Sequence, residues 1–175
     1  MQTRLPTAAI TDEFSPDLQT AVRAMAQIGM TGAELRVVFG KNILDLSDEE
    51  VERARQIVAS EGLKVISLSS PLLKCVLPGG PELDTRFQHD VFASKHTFED
   101  QPRLLRRAFD IAHRTGARII RVFSYWRTVE PERCFPRIIE ALGDLARQAA
   151  PEDLIIGLEN EHACNVSTGA DVARV

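Results

Sequence analysis

Short apolar runs alternate with longer stretches in which apolar residues recur every three or four positions, the rhythm of strand and amphipathic helix. The first run, Ala8-Ala-Ile-Thr-Asp-Glu-Phe14, reads as a strand ending in carboxylates. Ser15-Pro16 predicts a helix start, with Ser15 as N-cap and Pro16 at the first helical position. Leu18, Val22, Met25 and Ile28 form that helix's apolar stripe, and Gly29 supplies its stop. A second strand is predicted over Gly32-Ala-Glu-Leu-Arg-Val-Val-Phe39. Ser47-Asp-Glu-Glu50 has the form of a capping box and opens a helix that runs to Glu61-Gly62.

Leu63-Lys-Val-Ile-Ser-Leu-Ser69 is the third strand. About thirty residues with scattered Pro and Gly follow, a length typical of a lid or a disordered segment. Leu104, Leu105, Ala108, Ile111 and Ala112 mark a helix closed by Gly116. Ala117–Ser124 and Leu154–Glu159 are the fourth and fifth strands, separated by a helix with Pro136 near its start. Thr168-Gly-Ala-Asp-Val begins one more helix.

Strands alternating with helices imply an α/β protein with parallel pairing through right-handed crossovers. No Gly-x-Gly-x-x-Gly follows the first strand and no Walker-type Gly-Lys-Ser/Thr occurs, which removes the usual nucleotide-binding folds. Every strand instead closes on polar side chains: Asp12 and Glu13, Glu34 and Arg36, Ser69 and Ser70, Ser124 and Trp126, then Glu159, Asn160 and His162. A (β/α) barrel builds its site from such ends. A full barrel needs about 250 residues and eight strands. The 175 residues here supply five. The expectation is one domain over residues 1–175, an incomplete barrel truncated after its fifth strand.

Composition narrows the picture. The net charge is −4, so no basic surplus suggests a nucleic-acid partner. No apolar run approaches the roughly 20 residues of a membrane span, and the first residues lack a signal peptide's apolar stretch. Cys75, Cys134 and Cys164 are far apart and odd in number, which reads as reduced thiols in a cytoplasmic protein.

At Ser69-Ser-Pro-Leu-Leu-Lys-Cys75, Arg121-Val-Phe-Ser-Tyr-Trp126 and Leu158-Glu-Asn-Glu-His162 the sequence resembles the sugar phosphate isomerase/epimerase family, with the xylose-isomerase-like TIM barrel. The resemblance runs from Thr11-Asp-Glu-Phe14 to Asn165-Val-Ser-Thr168. It implies an enzyme that moves a proton next to a carbonyl of a small sugar or polyol. It also implies a divalent metal (manganese, magnesium, zinc or cobalt) that stabilises an enediolate. The first ligand in that family is a glutamate ending the fifth strand, which is Glu159 here; the others would lie beyond Val175. Glu159 is thus the candidate for both catalysis and metal binding, its plainer reading being an exposed strand-end carboxylate paired with a group such as Arg121.

Candidates for substrate contact are Glu13, Arg36, Ser70, Trp126, Glu161 and His162. Glu161 is expected to face the same side as Glu159 if the strand continues. For Arg36 and Arg121 the leading expectation is an ion network with Asp12, Glu13 and Glu34; the functional one is a fork of donors for a polar substrate. Phe123 and Trp126 either wall a sugar ring or pack. Lys74 is expected to be solvated, His89 and His96 to be exposed loop residues, and His113 to sit at a helix C-terminus. Asn165-Val-Ser167 matches a glycosylation sequon, without meaning in a chain that shows no secretion signal.

Two further classes compete with that reading. A zinc-dependent AP endonuclease on the same fold would want early-strand histidines and a positive groove, and this sequence has neither. An incomplete barrel without activity of its own would leave edge strands open to a second copy, as a homo-oligomer, or to a separate chain.

Overall fold

In a computed structural model that describes residues 5–87 and 95–175, the predicted alternation is present, with shorter strands. β1 is Ala8–Ile10, β2 Gly32–Leu35, β3 Val37–Val38, β4 Lys41–Asn42, β5 Lys64–Ser69, β6 Ile119–Val122 and β7 Ile155–Leu158. The helices are α1 Leu18–Gln27, α2 Asp48–Ser60, α3 Gln101–Thr115, α4 Phe135–Ala149 and α5 Gly169–Val172. β1, β2, β5, β6 and β7 form one five-stranded sheet in that order, with β1, β2 and β5 paired parallel. A doubly wound sheet reverses its strand order at a switch point, whereas a barrel adds each strand beside the last. The order here equals chain order, which is the barrel pattern.

Local chemistry explains where the elements stop. The β1 run ends four residues early because Thr11–Glu13 turn into a 3₁₀ helix. There the buried Thr11 donates its hydroxyl to the Glu34 carbonyl at 3.3 Å. The cap of α1 is Asp17, not Ser15. Asp17 Oδ1 accepts from the Thr20 N–H at 2.9 Å and from the Thr20 hydroxyl at 2.7 Å. Ser15 is one step removed, accepting the Asp17 N–H at 3.1 Å, so Pro16 lies outside the helix. A carboxylate at the N-terminus suits the helix dipole better than a hydroxyl. Leu18, Val22 and Met25 are buried with Ala21, while Ile28 falls beyond the last turn and is exposed. Gly29 takes φ 86°, the left-handed stop expected of it.

The second strand also breaks early, at Arg36. Beyond it the chain folds into a hairpin of β3 and β4 that the apolar pattern did not reveal. Phe39 (φ 54°) and Gly40 (φ 75°) occupy the two central positions, the backbone of a type I′ turn. A phenylalanine is unusual there, and its ring lies 4.9 Å from the Arg53 guanidinium. The Ser47–Glu50 capping box forms as predicted, at 3.2 Å and 2.9 Å. A second box, between Thr168 and Asp171, opens α5.

The chain divides into two compact units. One is Met1–Ser70 with Arg107–Ile120; the other is Pro71–Arg106 with Arg121–Val175. The first buries α1 and α2 against the strands through residues such as Met25, Leu35, Val51 and Leu68. Arg107 bonds Asp48 and Asp110 there and donates to the Leu46 carbonyl. The second unit holds a buried cluster of Phe123, Trp126, Ala163 and Cys164, with Leu83 and Phe87 packed against it.

The described part of the long segment after β5 is not a loose lid. Leu72, Leu73, Cys75 and Leu77 are buried, and Phe123 and Tyr125 donate their N–H groups to the carbonyls of Leu72 and Leu73 at 2.9 Å and 2.7 Å. His89 lies outside the described residues. His96 is half-buried and His113 exposed in the last turn of α3.

The start of α3 carries a titratable tie. Asp100 accepts from the Thr97 N–H at 3.0 Å and pairs with Arg103 at 2.9 Å. These contacts, the Arg103 bond foremost, hold its carboxyl at about 2, below the usual 3.8. A depressed folded-state value adds stability above the unfolded pKa, and that contribution is lost as pH falls through the folded one. We therefore expect the Asp100 carboxyl carbon to titrate near pH 2 by NMR, and the start of α3 to loosen only between about pH 4 and 2. A midpoint at or above the unperturbed value would show that the tie does not form in solution.

Candidate functional site

The strand ends of the first unit bring Glu13 and Arg36 together. Arg36 donates through Nε to Asp12 Oδ2 at 3.1 Å, and its Nη2 lies 3.0 Å from the same oxygen. Its Nη1 is 3.3 Å from Glu13 Oε1. Asp12 is held in turn by the Val37 N–H at 3.3 Å. The ion network expected of Arg36 is thus present with Asp12 and Glu13, and its planar fork is already engaged by two carboxylates. Glu34, at the end of β2, accepts a hydrogen bond from the Ser69 hydroxyl at the end of β5. Ser70 is buried, its N–H donating to the Leu68 carbonyl at 3.0 Å.

In the second unit the remaining candidates gather around one aromatic ring. Alternation along β6 buries Ile120 and Val122 and leaves Arg121 half-buried on the other face. Its Nε lies 3.1 Å from Glu159 Oε2, the plainer pairing named from sequence. Its guanidinium carbon is 4.2 Å from the centre of the Phe123 ring. Lys74 approaches the same ring at 4.4 Å and the Trp126 ring at 5.4 Å. Two cations therefore share Phe123, each answered by a carboxylate: Arg121 by Glu159, and Lys74 by Glu161 at 3.7 Å.

Lys74 corrects the sequence expectation outright. It is 5% exposed rather than solvated. An ammonium withdrawn from water is tolerable only where counter-charge and aromatic faces replace its hydration. Glu161, Phe123 and Trp126 provide both. They also explain why Trp126 is buried in the cluster and not an open wall.

β7 stops at Leu158, so Glu161 sits in a turn and strand alternation does not set its direction. Its Oε1 accepts the Ala163 N–H at 3.1 Å and lies 2.9 Å from His162 Nδ1. Its Oε2 accepts from the Cys164 thiol at 3.6 Å. His162 itself is 76% exposed. Burial, and after it the Glu161 charge, pushes the Cys164 thiol far up, while burial pushes Cys75 up to about 12. All three cysteines are free and buried.

Asn165 is the residue that sequence reasoning missed. The buried chain from Ser124 to Thr128 turns through Tyr125 at φ 61° and needs partners for its backbone. The Asn165 amide donates to the carbonyls of Trp126 at 3.0 Å and Ser124 at 3.2 Å. Its oxygen accepts the Thr128 N–H and hydroxyl, both at 3.0 Å. The signal was an asparagine set among Ala163, Cys164 and Val166, a polar residue in an apolar run.

Among the described residues no three His, Cys, Asp or Glu side chains converge as a metal site. Glu159, 41% exposed and held by Arg121, offers one hard oxygen donor. A magnesium-like cation needs about six oxygen ligands. The described residues do not by themselves fit one.

The comparisons with known proteins agree with this fold. The family model for the xylose isomerase-like TIM barrel matches residues 22–175. The chain belongs to that family. A xylose isomerase-like TIM barrel/4-hydroxyphenylpyruvate dioxygenase fusion protein superposes with TM-score 0.66 at 19% identity, covering 98% of this chain and 24% of the other. D-psicose 3-epimerase in the presence of D-fructose gives 0.62 at 15% identity, covering 97% and 59%. A xylose isomerase-like TIM barrel protein from Mycobacterium smegmatis in complex with magnesium gives 0.61 at 20%, covering 97% and 59%. The chain thus spans from about a quarter to three-fifths of the length of these structures. No curated protein matches the sequence. No helix among the described residues is long and apolar enough to cross a membrane.

Asn165 gives the sharpest stability test. Each buried polar group left without a partner costs about 1–3 kcal/mol. Asn165→Ala strands the Thr128 N–H, leaves its hydroxyl only the Cys134 sulfur at 3.5 Å, and strips donors from two carbonyls. We expect a loss of about 3 kcal/mol or more, seen as a lower urea midpoint at unchanged slope. A loss under about 1 kcal/mol would mean that water replaces the amide at little cost.

Proposed function

We propose that this chain belongs to an enzyme that isomerises or epimerises a small sugar or polyol by moving a proton at the carbon beside a carbonyl. The observation that carries the reading is Glu159, a half-exposed carboxylate at the end of β7, in a chain of the xylose isomerase-like family. Active sites of such barrels form at strand C-termini.

In this reading Glu159 holds or releases the migrating proton, and the Arg121 cation beside it aims the carboxylate. Glu161 and His162, in the turn that follows, meet substrate hydroxyls as acceptor and donor. Trp126 contributes the apolar back of that turn. Glu13 and Ser70 are assigned to hydroxyl recognition, and Arg36 acts there through the two carboxylates it orders. A divalent cation would supply Lewis-acid chemistry there, polarising a carbonyl. Glu159 is its proposed ligand in this chain, joined by donors other than the described residues.

A second reading has its own support. The chain spans 59% of the epimerase it resembles, so activity would require further strands, from a partner or from the C-terminal strands of a whole barrel. The substrate class and its sugar chemistry belong to the whole assembly.

Solvent-deuterium incorporation decides between the two. Mixed with manganese and a panel of ketoses in deuterium oxide, the protein is expected to label the carbon beside the carbonyl. Proton transfer by a placed side chain is worth about 10²–10⁴-fold, so Glu159→Gln should slow labelling at least 100-fold, roughly the lower bound. No labelling by the unmodified chain favours the incomplete-barrel reading. Labelling that survives in the variant removes Glu159 from the chemistry.

A further inference from the structure

The second unit contains a cavity of about 430 Å³ that the sugar-directed reading does not use. That volume falls in the range of small-molecule pockets, about 300–1,000 Å³. Its walls are apolar and partly aromatic: Leu73, Phe98, Leu105 and Tyr125 line it. The Phe98 and Tyr125 rings stand 6.2 Å apart, tilted by 33°.

The backbone around this cavity is held in a costly shape. Leu73 (φ 59°) and Tyr125 (φ 61°) are both left-handed, a conformation that non-glycine residues keep only when their surroundings over-determine it. They are fastened to each other, Tyr125 N–H to Leu73 carbonyl at 2.7 Å. Gln101, also in the lining, fixes the other side by accepting the Leu73 N–H at 2.8 Å and donating to the Thr97 carbonyl at 2.8 Å. The wall is therefore built ahead of any occupant, which lowers the ordering cost of binding.

Charge selects the occupant. The lining includes the carboxylates Glu99 and Asp144 and no lysine, arginine or histidine. Asp144 also holds Arg147. Glu99 stays ionised because hydrogen bonds from backbone and from Thr97 lower its carboxyl. Among the lining side chains a carboxylate or phosphate ligand would meet only like charge, the Arg147 guanidinium being already paired with Asp144. A cationic head would meet opposite charge at Glu99 while its ring lies on Phe98 and Tyr125. We propose that this cavity binds a small aromatic molecule that carries an ammonium group.

Three probes with one ring system and different charge test this: tryptamine, indole and indole-3-acetate, titrated into the full chain and followed by two-dimensional NMR. Tryptamine is expected to shift signals of the cavity lining in a saturable way and to bind at least ten times more tightly than indole-3-acetate, with indole between them. Ala141→Trp, at another lining position, should abolish those shifts while the remaining spectrum stays native. Glu99→Gln, an exposed change that spares the fold, should narrow the gap between tryptamine and indole-3-acetate at least threefold. Absence of saturable shifts, equal binding of the two charged probes, or tryptamine shifts that persist in a folded Ala141→Trp protein would overturn the proposal. If Ala141→Trp does not fold, the Glu99→Gln comparison decides alone, an unchanged gap counting against it. None of these readouts involves ketose labelling, so this site and the proposed activity stand or fall separately.

Discussion

A backbone that leaves a sheet and stays buried must find a partner for every N–H and carbonyl it carries, because no water is there to serve. The stretch from Phe123 to Thr128 is in that position. It continues β6 inward, past the point where strand pairing ends, and Leu72, Leu73 and Cys75 take its first N–H groups. Arg127 exchanges backbone bonds with Ala163 and Asp84, and one side chain, Asn165, closes the two ends of the turn at once. Once that turn is fixed, Phe123 and Trp126 have fixed positions, and the two cations that rest on them can be buried. The end of β7 inherits its order from the same stitch, since Arg121 and Lys74 are what Glu159 and Glu161 pair with.

The charges follow a simple logic. Acid, cation, ring, cation and acid succeed one another from Glu159 to Glu161, so each of these four ions has an opposite neighbour and each cation an aromatic face. In the first unit Arg36 is treated in the same way by Asp12 and Glu13. Neither arrangement needs a ligand to be stable. A ligand entering either one competes with carboxylates already in place, which favours neutral, hydroxyl-rich molecules over strongly charged ones.

The fold was largely legible because helix and strand have different periods, and the glycine stops and the Ser47 capping box are local signals. Gly29 and Gly116 end their helices where the sequence placed them. The failures have physical reasons. Ser15 and Asp17 are both good caps two residues apart, and only the tertiary path of the chain chooses. The β3–β4 hairpin hides because Phe39 holds a backbone angle usually left to Gly or Asn. Of the candidate site, the strand ends were readable as places, but not as partnerships. Lys74 and Asn165 act through residues from 49 to 87 positions away, or from 37 to 41, and such distances leave no periodic trace.

Trp126 is the chain's single tryptophan, and it lies buried beneath a lysine ammonium in the second unit. Its ultraviolet emission therefore reports on the aromatic cluster of that unit. Nature has in effect labelled one half of the molecule optically and left the other half dark.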